Sequence, residues 1–336
     1  MCKALSENPL YHAPSEPAVL IIHQQTHPIA FAELAYRAAA NASARSAVLD
    51  KYWERVSASA DFMVSFANES YGYDRRLHRN DSASCLSLGP PLFPGMGIEG
   101  SDPGNNGHTH PRSPCVRDCY NHTWNSMYEL VQWRWGLETA QAWRQRQGLS
   151  RDAGWDTILR TLCTPKQRYL PNGSQSQPVY FFDDGSQGLG LRRPNLAYTL
   201  GNLYACSYLP CETHGVDKNV MNRTLWLDQT YDYSEAYPSD IAMYAMTAAR
   251  LGNAQLAIDL LLLDNPSNRY NEITGQSQAR GGVGTHWPAF TPSNAQSLMA
   301  IAFLVGGWDG DGGVRAPGLP RDWQTKVKAE GFAKCF

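Results

Sequence analysis

Glu99 is the single ionisable residue in the stretch GPPLFPGMGIEG at residues 89–100. Eight of these twelve positions are Gly, Pro or Leu, and Gly and Pro hold a backbone in a defined non-helical path. A carboxyl group fixed by such a loop can deliver a proton as a general acid. The same glutamate on a linker would only add surface charge, and the residues of the stretch leave both interpretations open.

Two further carboxyl groups lie in segments with helical patterns. Glu129 is flanked by Tyr128, Trp133 and Trp135, where a carboxyl is either desolvated, as a general acid needs, or reaches to water at the rim. Asp240 precedes an apolar helix and is a candidate general base. Capping of that helix by Ser239 or Asp240 is the alternative, because short polar side chains accept hydrogen bonds from the first free N–H groups.

Hydrogen-bonding side chains cluster where a helix begins near Pro28. His23, Gln24, Gln25 and His27 interrupt an apolar run there, and such groups at a helix N-terminus can hold a hydroxyl-rich or anionic ligand. The alternative is a local network that satisfies the backbone at the start of the helix.

Trp287 and Asn294 surround a turn before another apolar helix, beside His286. An aromatic ring next to amide and imidazole groups suits the recognition of sugars, while a capped helix start is the alternative. GWDGDGG at 307–313 lacks the distal glutamate of a calcium loop and predicts a turn. We expect no metal and no cofactor, and Cys115 and Cys119 are interpreted as a loop disulfide or free thiols.

Helical periodicity dominates the segments that must position these residues. Apolar residues recur at three- and four-residue steps over 46–67 and 122–148, which predicts amphipathic helices. The joint Gly252-Asn253 is so short that the helices on either side must form a hairpin. Further helices are predicted from Pro28 and over 154–163, 193–206, 220–231, 239–252, 253–264 and 293–307.

Long connections separate these helices, over 68–121, 164–192 and 265–292. Loops of this length are uncommon in compact domains unless they carry function. The sequence therefore predicts an all-α fold of helical hairpins that hold long loops at one rim.

The overall composition limits the partners of the 336-residue chain. With 29 basic and 31 acidic residues and a formal charge of -2, it has no basic surplus for nucleic acid. No apolar run is long enough for a membrane span, and the oligomeric state is left open. Six N-x-S/T sequons and eight cysteines favour a secreted glycoprotein, although the first residues do not read as a signal peptide. The sequons are at Asn41, Asn68, Asn80, Asn121, Asn172 and Asn222.

Scattered carboxylates, helices rich in Trp and Tyr, and long rim loops together suit glycosidic hydrolysis of an oligosaccharide or polysaccharide. In that reaction one carboxylic acid protonates the leaving oxygen while a second group handles the water. The sequence offers no phosphate-binding glycine loop, serine elbow or zinc signature for a competing chemistry.

Several blocks of the sequence resemble the six-hairpin glycosidases, a superfamily of carbohydrate enzymes. The resemblance runs in order from about residue 18 to residue 323. It is carried by IIHQQTHPIAFAELAYR, YWERVSASADFMVSFA, LGPPLFP, YELVQWRWGLETAQAWRQRQGL, AMYAMTAARLGNAQLAIDLLLLDNPSNRY and FLVGGWDG.

The resemblance implies an (α/α)6 toroid whose centre binds a glycan end, usually with inversion at the anomeric carbon. It also implies a catalytic-type domain at 18–323, with an extension at 1–17 and a tail at 324–336. Six hairpins need twelve helices and the sequence predicts about nine, so we expect an incomplete toroid that corresponds to the C-terminal part of a longer enzyme.

The resemblance also assigns roles to residues. Glu99 is the nearest match to the glutamate that follows GPPL-P in relatives, although it comes two residues later here. Glu129 matches the glutamate of an F/Y-E-L block, Asp240 matches an aspartate before AMTAARLG, and Asn294 lies where relatives have a Gly-Asn-Gly turn.

The sequence thus predicts a glycoside hydrolase that removes a terminal sugar. Glu99 is the first-choice acid and Asp240 the candidate base or water-positioning group, with Glu129 as the alternative acid. In an inverting enzyme the two carboxyls would lie ~6.5–9.5 Å apart. A non-catalytic carbohydrate-binding or degenerate homologue is the second hypothesis, and a helical interaction scaffold is the third. The predicted sugar-site residues are His23, Gln24, Gln25, His27, Trp287 and Asn294.

Overall fold

Helices form most of the computed structural model, which confirms the all-α class. The structure describes residues 21–77, 85–89, 92, 125–165, 167–169, 177–180, 204–227, 238–277, 279–280, 286–287 and 290–336. These residues fall into two compact units. Unit 1 contains the described residues up to 165, and unit 2 contains those from 167 onward.

The described part of unit 1 contains four helices and a preceding 3-10 turn, Ile22–Thr26. Helix α2 packs against α1, α3 and α4, and the turn packs against α3. Trp133, Trp143 and Met63 are fully buried between these elements. The helices are α1 (His27–Ala38), α2 (Ala42–Leu77), α3 (Met127–Arg146) and α4 (Ala153–Thr161).

Helix α2 extends well beyond the 46–67 predicted from apolar periodicity. At its start, the Asn41 side chain accepts a hydrogen bond from the Ala44 N–H at 2.9 Å, which caps the helix. Residues 68–77 were expected to begin a loop, but they continue the helix to Leu77. This polar stretch has no proline, so a helix that has already formed can propagate through it.

Helix α3 begins later than the predicted residue 122, at Met127. Asn125 has a positive φ of 53°, a backbone conformation that interrupts a helix and that Asn tolerates. Its side-chain oxygen accepts a hydrogen bond from the Leu88 N–H at 2.9 Å. The chain therefore enters α3 through an anchored turn.

Glu33 ties α1 to the last turn of α3 inside unit 1. Its carboxylate is 2% exposed and accepts hydrogen bonds from Arg146 at 2.5 Å and 3.1 Å, from Trp143 at 2.8 Å and from Arg37 at 2.9 Å. Burial alone would raise the pKa of Glu33, but these donors outweigh it and hold the pKa below its usual value.

Unit 2 centres on helix α6, which packs against both α7 and α8. Gly252 has φ 88°, a left-handed conformation that lets the chain reverse between α6 and α7. The predicted hairpin at this joint is confirmed. The helices described in this unit are α5 (Lys218–Leu227), α6 (Pro238–Arg250), α7 (Ala254–Leu261), α8 (Thr291–Gly306) and α9 (Arg321–Gln324).

Arg250 joins the end of α6 to the backbone around it. Its guanidinium donates to the carbonyl oxygens of Ser207 at 3.1 Å, Tyr208 at 3.2 Å and Phe336 at 2.9 Å. The same group stacks over the Phe303 ring, 5.0 Å from its centroid. Burial lowers the pKa of Arg250 to about 10, so the side chain remains a cation at neutral pH.

Short antiparallel strand pairs occupy parts of the two later predicted loops. Strand β1 (Gln167–Tyr169) pairs with β2 (Pro178–Tyr180), and β3 (Ala279–Arg280) pairs with β4 (His286–Trp287). These connections therefore contain regular structure that is not predicted from the sequence.

Two disulfides constrain the described residues. Cys206 pairs with Cys211, five positions later in the chain. Cys85 pairs with Cys163 across 78 residues and joins the segment before α3 to the end of α4. No helix that the structure describes is both long and apolar enough to cross a membrane.

Candidate functional site

Glu129 and His23 form the most deeply buried ionisable contact among the predicted site residues. Glu129 lies in the first turn of α3 and is fully buried, and His23 in the 3-10 turn is 5% exposed. Oε1 of Glu129 lies 2.7 Å from Nδ1 of His23. Oε2 of the same carboxylate is buried and has no hydrogen-bond partner among the described residues.

Aromatic rings surround the His23 imidazole. The Tyr128 ring packs edge-on at 4.8 Å between centroids, and the His27 ring lies at 5.9 Å. Burial, together with the electrostatic influence of the neighbouring His23, lowers the pKa of His27 to about 4. At neutral pH His27 is therefore a neutral ring that can donate or accept a hydrogen bond.

The two glutamines between these histidines differ in exposure and contacts. Gln24 is exposed, and Gln25 is half-buried with its amide nitrogen 3.3 Å from the Ser59 hydroxyl. The Thr26 hydroxyl lies 2.8 Å from the His23 carbonyl oxygen and 2.6 Å from Oε1 of Gln132. The polar residues of the HQQTH stretch thus contact α2 and α3 as well as each other. The role of this stretch in holding a ligand stays a prediction.

Asp240 in unit 2 is a buried carboxyl in the first turn of α6, 2% exposed. Burial raises the pKa of Asp240 to about 7, although hydrogen bonds from Tyr204 and Ser239 act in the opposite direction. Tyr204 stacks on Tyr244 with centroids 5.5 Å apart and ring planes inclined by 10°. The raised pKa brings Asp240 toward the pH range in which a carboxyl group can exchange a proton efficiently.

Asn294 lies in the first turn of α8 and fastens a neighbouring loop. Its side-chain oxygen accepts from the Ser277 N–H at 2.9 Å, and its amide nitrogen donates to the Gly275 carbonyl at 2.8 Å. Both ends of the amide are thus engaged by the backbone. The predicted role of Asn294 in sugar binding stays a prediction, and its observed contacts hold the loop in place.

A cavity of about 390 Å³ lies beside Asn294 in unit 2. Its wall is mainly apolar, and the polar residues in it are Asn268, Tyr270, Asn294 and Ser297. The apolar lining consists of Ala242, Ile258, Leu261, Leu262, Leu298, Ile301 and Trp323.

A polar groove of about 660 Å³ shares Asn268 and Tyr270 with this cavity. Asp264, Arg269 and Glu272 contribute its charged groups, and Arg269 lies 3.6 Å from Asp264. An apolar cavity and a charged groove therefore adjoin at the loop that follows α7. Neither is predicted from the sequence, in which residues 265–292 read as a connection without regular structure.

Two predicted site residues lie partly or wholly outside the described structure. Glu99 is outside the described residues, so its role as the acid and its spacing from a second carboxyl stay predictions. The backbone of Trp287 is in β4, whereas its side chain is outside the description. Within the described ranges no group of three or more His, Cys, Asp or Glu side chains is arranged to hold a metal ion.

The structure thus brings His23, His27 and Glu129 together in unit 1, while Asp240 and Asn294 belong to unit 2.

Asp311 of the predicted turn at 307–313 accepts hydrogen bonds from the N–H groups of Trp308 and Gly313 and pairs with Lys334 at 2.5 Å. Of the predicted sequons, Asn41 and Asn68 are exposed. Asn222 is half-buried in α5 and accepts a hydrogen bond from Asn253 at 2.8 Å.

Comparison with known proteins gives no family assignment: no family model matches the chain, and no curated protein matches it significantly.

Proposed function

We propose that this protein is a glycoside hydrolase that removes a terminal sugar from an oligosaccharide or polysaccharide with inversion. The observation that supports this proposal is the Asp240 carboxyl, which is buried and has its pKa raised to about 7. Proton transfer in glycoside hydrolysis depends on carboxyl groups whose environment shifts the pKa in this way.

Asp240 acts as the general base or water-positioning group. As a base of higher pKa it binds the proton of the attacking water more strongly than an ordinary carboxylate does. The nucleophilic water loses its proton to Asp240, and the acid, assigned to Glu99, gives a proton to the leaving oxygen. The resemblance of the sequence to six-hairpin glycosidases, with their (α/α)6 toroid, belongs to the same proposal.

Glu129 serves as a positioning residue in this proposal. Its carboxylate is fully buried and fixes the His23 ring through Nδ1 at 2.7 Å. A histidine held by a carboxylate on one nitrogen presents the other nitrogen in a defined direction. His23 is then oriented toward a ligand by Glu129, and Gln24 adds an exposed amide beside it.

The experiment compares hydrolysis of a panel of oligosaccharides and polysaccharides by the wild type, Asp240→Asn and Glu99→Gln. Loss of a general acid or base reduces turnover by about 10²–10⁴-fold, and the anomer released by the wild type is identified by NMR. Asp259→Asn is the matched control, because Asp259 is an exposed carboxylate on α7 of the same unit. Wild-type turnover in a folded Asp240→Asn protein would overturn the role of Asp240, and no turnover by the wild type on any glycan would overturn the hydrolase proposal.

The second candidate is carbohydrate binding without catalysis. The polar groove of unit 2 favours it, because the charged groups of Asp264, Arg269 and Glu272 can bind sugar hydroxyls. Glycan binding by both the wild type and Asp240→Asn with equal affinity, and without product, would support this candidate.

A further inference from the structure

The apolar cavity and the polar groove of unit 2 together have the composition of a site for an amphiphile. The cavity of about 390 Å³ is within the size range of small-molecule sites. Four of its apolar side chains are exposed: Leu262 at 72%, Leu298 at 68%, Ile301 at 47% and Trp323 at 41%. Large apolar side chains grouped at a concave surface mark a binding site more often than scattered ones do.

Few polar groups of the cavity retain hydrogen-bonding capacity. The Asn294 amide is used by Ser277 and Gly275, and the Asn268 amide nitrogen lies 3.1–3.5 Å from three carbonyl oxygens at the end of α7. Tyr270 and Ser297 remain, with their hydroxyl oxygens 2.5 Å apart. Their mutual hydrogen bond uses one O–H and leaves the other for a ligand.

The cavity alone therefore does not suit a free sugar, whose hydroxyl groups would find almost no partners there and would lose their hydration. It suits an alkyl or aryl group that carries one oxygen. That oxygen would lie at Tyr270, the residue that also lines the adjoining polar groove.

The groove offers the opposite chemistry. Asp264, Arg269 and Glu272 provide charged acceptors and donors, which match the vicinal hydroxyl groups of a sugar. Two carboxylates against one guanidinium give the groove a net negative charge, so an anionic head group is disfavoured.

We infer that the cavity and the groove bind a glycoside with an apolar aglycone, the aglycone between α7, α8 and α9 and the glycosyl group in the groove. The identification of the head group as glycosyl rests on the proposed function. Ala242 lines the cavity two residues after Asp240 on α6. Residues two apart on a helix point about 200° apart, so this is a second glycoside site rather than the place of Asp240 chemistry.

Calorimetric titration with octyl glucoside below its micelle-forming concentration tests the inference without any need for turnover. We expect saturable binding of one molecule, with methyl glucoside and octylphosphocholine each about tenfold weaker or more, since each lacks one of the two matching halves. Equal binding of octylphosphocholine would overturn the glycosyl assignment. Absence of octyl glucoside binding would overturn the site, whatever the hydrolysis assay gives.

Two variants and a control separate the halves of the site. Leu298→Glu places a charge in the cavity from an exposed position and should abolish octyl glucoside binding. Val314→Glu is the control and should not change binding, because Val314 is 48% exposed and lines neither the cavity nor the groove. Glu272→Ala should weaken binding about fivefold through the lost sugar contact. Circular dichroism verifies folding, and unaltered binding by folded Leu298→Glu would overturn the inference.

A second copy of this chain is the competing occupant of the cavity. Sedimentation of the wild type and Leu298→Glu distinguishes it, because a dimer that closes over the cavity would dissociate in the variant. The proposed ligand site would be overturned if the wild type is a dimer, Leu298→Glu is a monomer, and octyl glucoside does not dissociate the wild-type dimer. A monomer that binds octyl glucoside would support it.

Discussion

Oε1 of Glu129 and Nδ1 of His23 lie 2.7 Å apart although 106 residues separate them in the chain. The contact joins the turn before α1 to the first turn of α3 in a place that water barely reaches. A buried hydrogen bond couples its partners strongly, because each leaves the other unsatisfied when it is removed.

We expect the effects of Glu129→Gln and His23→Asn on the free energy of unfolding not to add up in the double variant. The double-mutant cycle should give a coupling of about 1–3 kcal/mol, measured by urea denaturation at pH 7. The half-buried Gln25–Ser59 pair at 3.3 Å is the matched control, with a smaller coupling from Gln25→Ala and Ser59→Ala. Additive effects of Glu129→Gln and His23→Asn would contradict the structural link.

Ionisation of Asp240 should lower the free energy of unfolding as the pH rises. Its folded-state pKa is raised from 3.8 to about 7, so ionisation of the carboxyl opposes folding. The penalty is absent below about pH 4, grows as pH rises, and is complete above about pH 7, on the order of 4 kcal/mol.

The Asp240→Asn variant should therefore be more stable than the wild type at pH 8 and nearly equal to it at pH 4. Urea denaturation of both proteins at the two pH values measures this difference. Asp259→Asn should show no such trend. A gain that is the same at both pH values would show that ionisation of Asp240 is not its cause.

The proposed hydrolysis should require ionised Asp240. If Asp240 is the base, kcat/KM rises with pH through about 7, because the free enzyme must have lost this proton. A pH–rate profile on the best glycan of the panel measures the rise. Activity that instead falls through the same pH range would assign Asp240 the role of the acid.

Glu33→Gln should destabilise the protein strongly, because it leaves the partly buried Arg146 with a neutral partner. Breaking a buried ion pair from one side costs about 3–5 kcal/mol. Glu138→Gln is the control: Glu138 pairs with Arg151 at 3.1 Å on the surface, where about 1 kcal/mol or less is expected. Equal losses of unfolding free energy in Glu33→Gln and Glu138→Gln would contradict the claim that burial makes the Glu33 ion pair the more important one.

The Glu33 carboxyl also makes the stability of the wild type depend on pH in the acid range. The pKa of Glu33 is lower in the folded protein than its usual value of 4.5, so its ionisation favours folding. This contribution is present above about pH 4.5 and is lost as pH falls through the lowered folded-state pKa. As the pH falls below about 4.5, the free energy of unfolding of Glu33→Gln should therefore decrease less steeply than that of the wild type.

The two disulfides should differ in their contribution to stability. In the chain-entropy description, the Cys85–Cys163 bridge with its separation of 78 residues contributes about 4.5 kcal/mol, and Cys206–Cys211, with a separation of 5, about 2 kcal/mol. Denaturation of Cys85→Ser/Cys163→Ser and Cys206→Ser/Cys211→Ser tests the order. A larger loss for the short bridge would contradict it.

Local features of the structure were predictable from the sequence, because they depend on neighbouring residues. The α6–α7 hairpin follows from Gly252 and Asn253, and α1 begins beside Pro28 as the helix rules indicate. The continuation of α2 to Leu77 was not predicted, since a polar helical stretch has no apolar stripe.

Contacts between distant segments could not be predicted in the same way. The aromatic surroundings of Glu129 left open whether its carboxyl was buried or at the rim, and only the tertiary contact with His23 decides it. The Glu33–Arg146 contact spans 113 residues, and no periodicity encodes which arginine meets which glutamate. The apolar cavity was missed for a related reason: its lining comes from four helices and a loop, and no periodicity encodes how these segments meet.

The Cys85–Cys163 bridge also changes what a protease would leave behind. A single cut anywhere between these cysteines separates the polypeptide into two pieces that the bridge still joins. Electrophoresis without a reductant would show one species of unchanged mass, and dithiothreitol would release two fragments. A preparation that looks intact under the first condition can therefore already be nicked.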